Sequence, residues 1–306
     1  MSAVIEANDL SKWFGEVVAV NNLRVSIGPG VTGLLGPNGA GKTTFIKLAL
    51  GLYRPSRGKI TLFGEAPRNN LPLLGRIAYC PESDTFYEGA RGYDFVYWLA
   101  RYSGLTAKAA RKATAESIEQ VGMTGRMNDP IGSYSRGMRQ RIKIAQALCT
   151  NPELLFLDEP LAGLDPRGRE SMYSLVRRIG EEGRTVIMSS HILYEIERVT
   201  SKVVLLHHGT ILADGQVRDI RGMIDEHPHA VTVECNDCRR LAEHFVGDAS
   251  TLSVHFEGQE VTVQTRDPNG FYQKLNRLIL DDGIEVSAFR CPDDNLQSVF
   301  QYLLEK

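Results

Sequence analysis

Residues Gly36-Pro-Asn-Gly-Ala-Gly41-Lys42-Thr43 follow an apolar stretch, Val31–Leu35, and precede a helical pattern from Thr43 to Leu50 that Gly51 is placed to end. The spacing G-x-x-x-x-G-K-[ST] between a strand and a helix is that of a phosphate-binding loop. Gly36, Gly39 and Gly41, with Pro37, Asn38 and Ala40 between them, let backbone N–H groups curl around phosphate oxygens. The helix N-terminus adds partial positive charge. Lys42 is placed to reach the β- and γ-phosphates, and the Thr43 hydroxyl to ligate Mg²⁺.

A second apolar strand, Leu154–Leu157, ends in Asp158-Glu159. Downstream of a phosphate loop, Asp158 is placed to hold Mg²⁺ through water, and Glu159 to orient or deprotonate the attacking water. Further short strands read at Val4–Ala7, Val17–Val20, Leu23–Ile27, Thr185–Met188 and Val203–Leu206. Residues 52–80 look β-like, and helical patterns cover Gly92–Gln120, Met138–Cys149 and Ile192–Val199. Strands alternating with helices imply an α/β fold with a largely parallel sheet.

Composition narrows the class. With 35 Lys and Arg against 37 Asp and Glu, the net charge of −2 leaves no basic footprint, so nucleic acid is not expected as a partner. Mean hydropathy is −0.20, and no apolar run approaches the ~18 residues of a membrane span. The start, MSAVIEANDLSKW, lacks a charged segment followed by an apolar one, so no secretory signal is expected. Five scattered cysteines fit a reducing cytosol rather than a disulfide framework.

The pattern changes character near Arg221–Pro228. Beyond it the order strand, helix, strand, strand, helix, strand, then a last helix over Leu296–Leu304, predicts a small split-βαβ domain over 222–306. His227, His229, Cys235 and Cys238 are zinc-type ligands close in sequence. Yet only one Cys-x-x-Cys is present, Cys235 alternates onto the core face of its strand, and Cys238 opens a helix, so packing is expected there.

GPNGAGKTT, then Ser133-Tyr-Ser135-Arg-Gly137-Met-Arg-Gln-Arg141, then LLFLDEPLAGLDP at Leu154–Pro166, and Ser190-His191 after a strand, occur in that order. This succession resembles the ATP-binding subunits of ABC transporters over about residues 3–220. The tail, with Asp293–Phe300 near its end, resembles the extension found on type-two exporters. The resemblance implies a P-loop NTPase with a RecA-like core, an N-terminal antiparallel β-subdomain and a helical subdomain at about 83–150, together spanning 1–221. It implies Mg²⁺-dependent ATP hydrolysis that powers export through a separate polytopic membrane subunit. The chain would then sit peripherally on the cytoplasmic side of the membrane. Importer ATPases, and soluble ABC-type ATPases that do not transport, are the alternative readings.

The same resemblance implies a head-to-tail homodimer with ATP between the protomers. Ser135 and Gly137 match the signature positions that meet the partner's ATP; Arg136 and Met138 depart from the usual LSGGQ. Asp165 matches the D-loop and His191 the switch histidine. Thr44 closes the phosphate loop, and Phe14, with Trp13 as competitor, matches the aromatic that stacks on adenine. Glu82 stands where the family places a Mg²⁺-contacting Gln; a carboxylate ligates Mg²⁺ but donates no amide hydrogen bond. The aromatic-rich stretch Phe86–Tyr102 lies where the membrane subunit's coupling helices dock.

Overall fold

The computed structural model describes residues 3–218, 229–258, 260–281 and 283–290. The chain divides into two compact units, Met1–Gln216 and Val217–Lys306.

In the first unit, β1 (Ile5–Phe14), β2 (Val17–Ile27) and β4 (Arg57–Leu62) form an antiparallel sheet in the order β2-β1-β4. Along β1, Ile5, Ala7 and Leu10 are buried while Glu6 and Asn8 face out, the alternation of a sheet covered on one side. β1 runs well past the expected Val4–Ala7, and β2 joins the two expected strands Val17–Val20 and Leu23–Ile27 into one. A six-stranded sheet has the order β5-β6-β7-β3-β8-β9. Its members are β3 (Val31–Leu35), β5 (Ile77–Cys80), β6 (Leu154–Leu157), β7 (Thr185–Ser190), β8 (Lys202–His207) and β9 (Thr210–Gln216). All pairs are parallel except β8–β9, a hairpin that turns through His208 and Gly209, both at positive φ. Every residue of β6 and β7 is buried, which is why β6 reads as a continuous apolar run and β7 carries Val186, Ile187 and Met188 in succession.

Register places the site. Leu35 pairs with Ser190, and Leu157 with Met188, so β3, β6 and β7 end side by side. The loops after them therefore leave the same edge of the sheet, where ligands of open α/β sheets bind. Helix α1 (Lys42–Ala49) packs Phe45, Ile46 and Leu48, each buried, into the core shared with Ile5, Leu23 and Phe156. Full burial of Phe45 alone contributes about 2–3 kcal/mol. Within 52–80, a one-turn helix α2 (Leu71–Leu74) interrupts the β pattern; the Asn70 side chain caps it by accepting from the Leu73 N–H.

The helical pattern over 92–120 resolves into α3 (Gly92–Tyr102) and α4 (Ala107–Gln120), the latter capped by Thr106. Helix α5 (Arg136–Leu148) starts at the N-cap Ser135. Helix α6 (Pro166–Glu181) was not expected from sequence. Its apolar residues Met172, Leu175, Val176 and Ile179 recur at helical spacing, Asp165 caps it, and Pro166 opens it. The short α7 (Leu193–Glu197) follows β7.

The second unit runs β10 (His229–Cys235), α8 (Cys238–Val246), β11 (Thr251–Glu257), β12 (Glu260–Thr265), α9 (Pro268–Asp281) and β13 (Val286–Arg290). Its sheet, β11-β12-β10-β13, is antiparallel throughout, the split-βαβ arrangement. Val231, Val233, Leu241, Phe245, Val261, Val263 and Phe271 form its core, with Phe245 stacked on Phe271 at 4.4 Å. The expected helix at Leu296–Leu304, the Asp293–Phe300 segment, His227 and Cys291 lie outside the described residues.

Candidate functional site

The phosphate loop is held from behind by backbone. The Gly36 N–H donates to the Ser190 carbonyl (3.2 Å), and the Gly209 N–H donates to the Ala40 carbonyl (3.0 Å). Gly41 has φ +102°, and a Cβ there would collide with the Ala19 carbonyl oxygen. Glycine at this position is thus demanded by both conformation and the β2 backbone against it.

Lys42 is buried, and its ammonium is already engaged. Its Nζ donates to the carbonyls of Gly36 (2.6 Å) and Pro37 (3.2 Å) and lies 3.1 Å from Glu159 Oε1. The other Glu159 oxygen, Oε2, lies 3.0 Å from His191 Nδ1. Lys42, Glu159 and His191, brought from three separate segments, form one chain of charge and hydrogen bonds.

Beside it, Asp158 is almost wholly buried and multiply held. The Thr43 hydroxyl donates to its Oδ2 at 2.9 Å, and the Tyr79 hydroxyl to the same oxygen at 3.3 Å. Burial first, then the charge of Asp158, push the Tyr79 phenol well above its ordinary range, so it stays a donor. The Ser189 hydroxyl donates to Asp158 Oδ1 (2.7 Å) and accepts from the Glu159 N–H (2.8 Å). Glu159 needs that support: its φ is +47°, in the left-handed region that a residue with a Cβ adopts at a cost of about 1–2 kcal/mol. Tyr79 and Ser189 are site residues that the sequence reading missed.

Two oxygens, from Thr43 and Asp158, thus meet at one point beneath the phosphate loop, a hard-donor set that fits Mg²⁺. Glu82 is exposed. Its carbonyl accepts from Lys143 Nζ (3.1 Å), while its carboxylate bonds to no described residue, although its charge adds to the upward shift at Tyr79. Lys143 also pairs with Asp84 (2.7 Å), and Arg139 forks onto Glu88 (2.8 and 2.6 Å), so α5 is tied to the segment after β5 at two points.

Ser135 is exposed at the head of α5, where its hydroxyl accepts from the Met138 N–H (3.3 Å). Gly137 has only Leu164 near the place of its absent side chain. The Arg136 guanidinium packs on Gly163, where a Cβ would collide with it, so this bulky departure from the usual signature is turned onto the chain's own loop after β6. Asp165 Oδ1 accepts from the Gly168 N–H (2.7 Å) as the cap of α6. Phe14 is 43% exposed, meets Tyr53 edge-on at 5.2 Å, and has Lys12 Nζ 5.0 Å from its ring; Trp13 is 42% exposed. Exposure therefore does not separate the two adenine candidates.

A phosphate loop, two carboxylates at the end of the neighbouring strand and a histidine at the end of the next define a nucleoside triphosphatase of the P-loop class. The sequence model described as ABC transporter matches residues 20–162. The chain is 34% identical to the bacitracin transport ATP-binding protein BcrA of Bacillus licheniformis, covering 99% of this chain and 98% of that one. It is 29% identical to the daunorubicin/doxorubicin resistance ATP-binding protein DrrA of Streptomyces peucetius, over 97% and 91% of the two chains. A solved ATP-binding subunit of an ABC transporter superposes with a TM-score of 0.63 at 28% identity, over 72% of this chain and 92% of that one. The chain belongs to the ABC transporter family, as an ATP-hydrolysing subunit like those of type-two exporters. Among the described residues, no helix is long and apolar enough to cross a membrane.

Proposed function

We propose that this chain binds ATP with Mg²⁺ at the loop after β3, hydrolyses it between two copies of itself, and drives export through a separate polytopic membrane subunit. The observation that carries the reading is the linkage of Lys42, Glu159 and His191 beside the Thr43–Asp158 pair. Arriving phosphates offer Lys42 a full opposite charge, which the neutral Gly36 and Pro37 carbonyls lack. Thr43 and Asp158 would hold Mg²⁺, which neutralises phosphate charge when bound. Release from Lys42 leaves the Glu159 carboxylate free to take a proton from water, and His191, bonded to its other oxygen, fixes its direction and serves the γ-phosphate.

The roles of Ser135, Gly137 and Asp165 across a head-to-tail dimer, of Phe14 or Trp13 on adenine, and of Glu82 at the metal belong to the same proposal. Support for the signature role is the exposed Ser135 at the head of a 13-residue helix, where free N–H groups favour an anion. The domain limits follow the same reading, an ATPase domain over 1–221 and an accessory domain over 222–306. Docking at the membrane subunit, on the cytoplasmic face, is assigned to the Glu82–Tyr102 region. Tyr87, Trp98 and Tyr102 are 82%, 56% and 84% exposed there, and aromatic anchors dominate interface energetics. BcrA and DrrA, matched nearly end to end, are named for bacitracin transport and for drug resistance, which favours an exporter carrying an antibiotic-like cargo over an importer.

The test is fractionation of cells that co-express the chain with its candidate membrane subunit. Wild type is expected with the membranes, and Tyr87→Asp in the cytosol with its ATP affinity unchanged. Wild type that stays soluble beside the membrane subunit would favour the non-transporting ATPase.

A further inference from the structure

Two thiols of the second unit have no part in the nucleotide chemistry. Cys235 ends β10 and is buried; Cys238 opens α8 and is partly exposed. Their sulfurs are 3.5 Å apart, with the Cys235 S–H donating to Cys238 Sγ. The turn between them is clamped by groups other than the thiols. The Asn236 N–H donates to the Glu285 carbonyl (3.1 Å), and its Oδ1 accepts from the Glu285 N–H (3.1 Å). Asp237 Oδ1 accepts from the Arg240 N–H (3.0 Å) and caps α8. With the backbone so fixed, side-chain rotation is the motion left to the sulfurs, and a disulfide requires them to close to about 2.0 Å.

The two cysteines are chemically unequal. Burial first, then the neighbouring sulfur, push the Cys235 thiol up to about 11. Cys238 is partly exposed at the first position of the nine-residue α8, so an incoming reagent reaches its sulfur before that of the buried Cys235. Zinc fits poorly: among the described residues, no group of three or more His, Cys, Asp or Glu gathers to hold a metal, and His229 stands at the opposite end of β10. Cys80, wholly buried and pushed up to about 12, and Cys149, buried and pushed up to about 11, lack a neighbouring thiol among the described residues.

We propose that Cys235 and Cys238 form a redox-modifiable dithiol, which a small-molecule disulfide of the glutathione-disulfide class closes to an intradomain disulfide. The Cys238 thiolate attacks one sulfur of the small disulfide and expels the first thiolate leaving group. Cys235 gives its proton to solvent, and its sulfur attacks the Cys238 sulfur of the mixed disulfide, expelling the second thiolate. The protein dithiol loses two electrons and two protons; the small disulfide takes up both and leaves as two thiols. In a reducing compartment, such a bond is transient and reports the redox poise.

The experiment treats the full-length protein, in a Cys291→Ser background, with glutathione disulfide under native conditions, then alkylates it and analyses tryptic peptides by mass spectrometry. The expected product is a peptide holding both cysteines, unalkylated, lighter by two hydrogen atoms, and restored by dithiothreitol. Before oxidation, Cys238 should alkylate at least about tenfold faster than Cys235. Cys235→Ser should stop at a glutathione adduct on Cys238, and Cys238→Ser should leave Cys235 unmodified; circular dichroism checks that both variants fold. A wild-type protein that stops at the adduct, or whose two thiols react at equal rates with no bridged peptide, would overturn the proposal. The readout is thiol chemistry and does not depend on ATP hydrolysis.

Discussion

Ser189→Ala tests how the two catalytic carboxylates are held. The Ser189 hydroxyl is wholly buried and is shared between Asp158 Oδ1 (2.7 Å) and the Glu159 N–H (2.8 Å). Alanine leaves the N–H without that partner, and the carboxylate with one donor fewer, at a buried point between β6 and β7. Each unmet buried group costs about 1–3 kcal/mol, and a charged one lies at the upper end. The loss is therefore about 2–5 kcal/mol, borne where Glu159 is held at φ +47°. With about half of it appearing as misplacement of the Glu159 carboxylate, turnover falls roughly 5- to 70-fold. The Lys42 contacts to Gly36 and Pro37 do not involve Ser189, whereas the Thr43 hydroxyl shares the Asp158 carboxylate with it, so ATP affinity should fall by less than turnover does. Steady-state phosphate release gives kcat, and equilibrium titration with a fluorescent ATP analogue gives Kd. Ser189→Cys, which keeps a weak donor, should fall between wild type and alanine, and it serves if alanine does not fold. Turnover at the wild-type rate, or a Kd that worsens as much as kcat falls, would refute the reasoning.

Glu159→Gln should keep ATP binding and lower phosphate release by a factor of about 10²–10⁴, the usual worth of a general base. Lys42→Ala should instead weaken nucleotide binding itself, read in the same titration, because it removes the cation buried beneath the phosphate loop. In the second unit, the Asp248 carboxyl is held well below the usual range, first by the Lys274 ammonium (2.9 Å), then by the Ser250 N–H and hydroxyl. A depressed native pKa gives stability that is present above the ordinary aspartate value of 3.8 and is lost as pH falls below it. Asp248→Asn should therefore lower the Tm of the full chain's C-terminal transition at pH 7, with the difference shrinking as the pH is lowered below that value.

The phosphate loop was legible because its chemistry is local: the glycines, Lys42 and Thr43 are consecutive in the chain and act where they stand. Asp158 and Glu159 were legible as the end of an apolar strand, and His191 only through the family resemblance. Ser189 and Tyr79 were not, since their bonds to Asp158 span 31 and 79 residues and arise only from the β5-β6-β7 register. A rule asking which strand-end hydroxyls neighbour Asp158 would have found both. Helix α6 lies outside the sequence expectation although Asp165, Pro166 and the spacing of Met172, Leu175, Val176 and Ile179 announce it, because the motif ending in Leu164-Asp165-Pro166 accounts for those residues without a cap or a first turn. The second unit was legible in its order of elements, because alternation and helix caps are strong there. The placement of Arg136 on Gly163 was beyond sequence, since it depends on how α5 meets the loop after β6.

The central claim is that two copies of this chain complete each other's ATP site, and size-exclusion chromatography of the Glu159→Gln protein tests it most directly. With ATP and Mg²⁺ it should elute as a dimer, and without nucleotide as a monomer. Adding Ser135→Arg, which places a long cation where the partner's γ-phosphate is proposed to lie, should hold it monomeric although ATP still binds. A doubly substituted protein that dimerises with ATP as readily as Glu159→Gln alone would contradict the composite site.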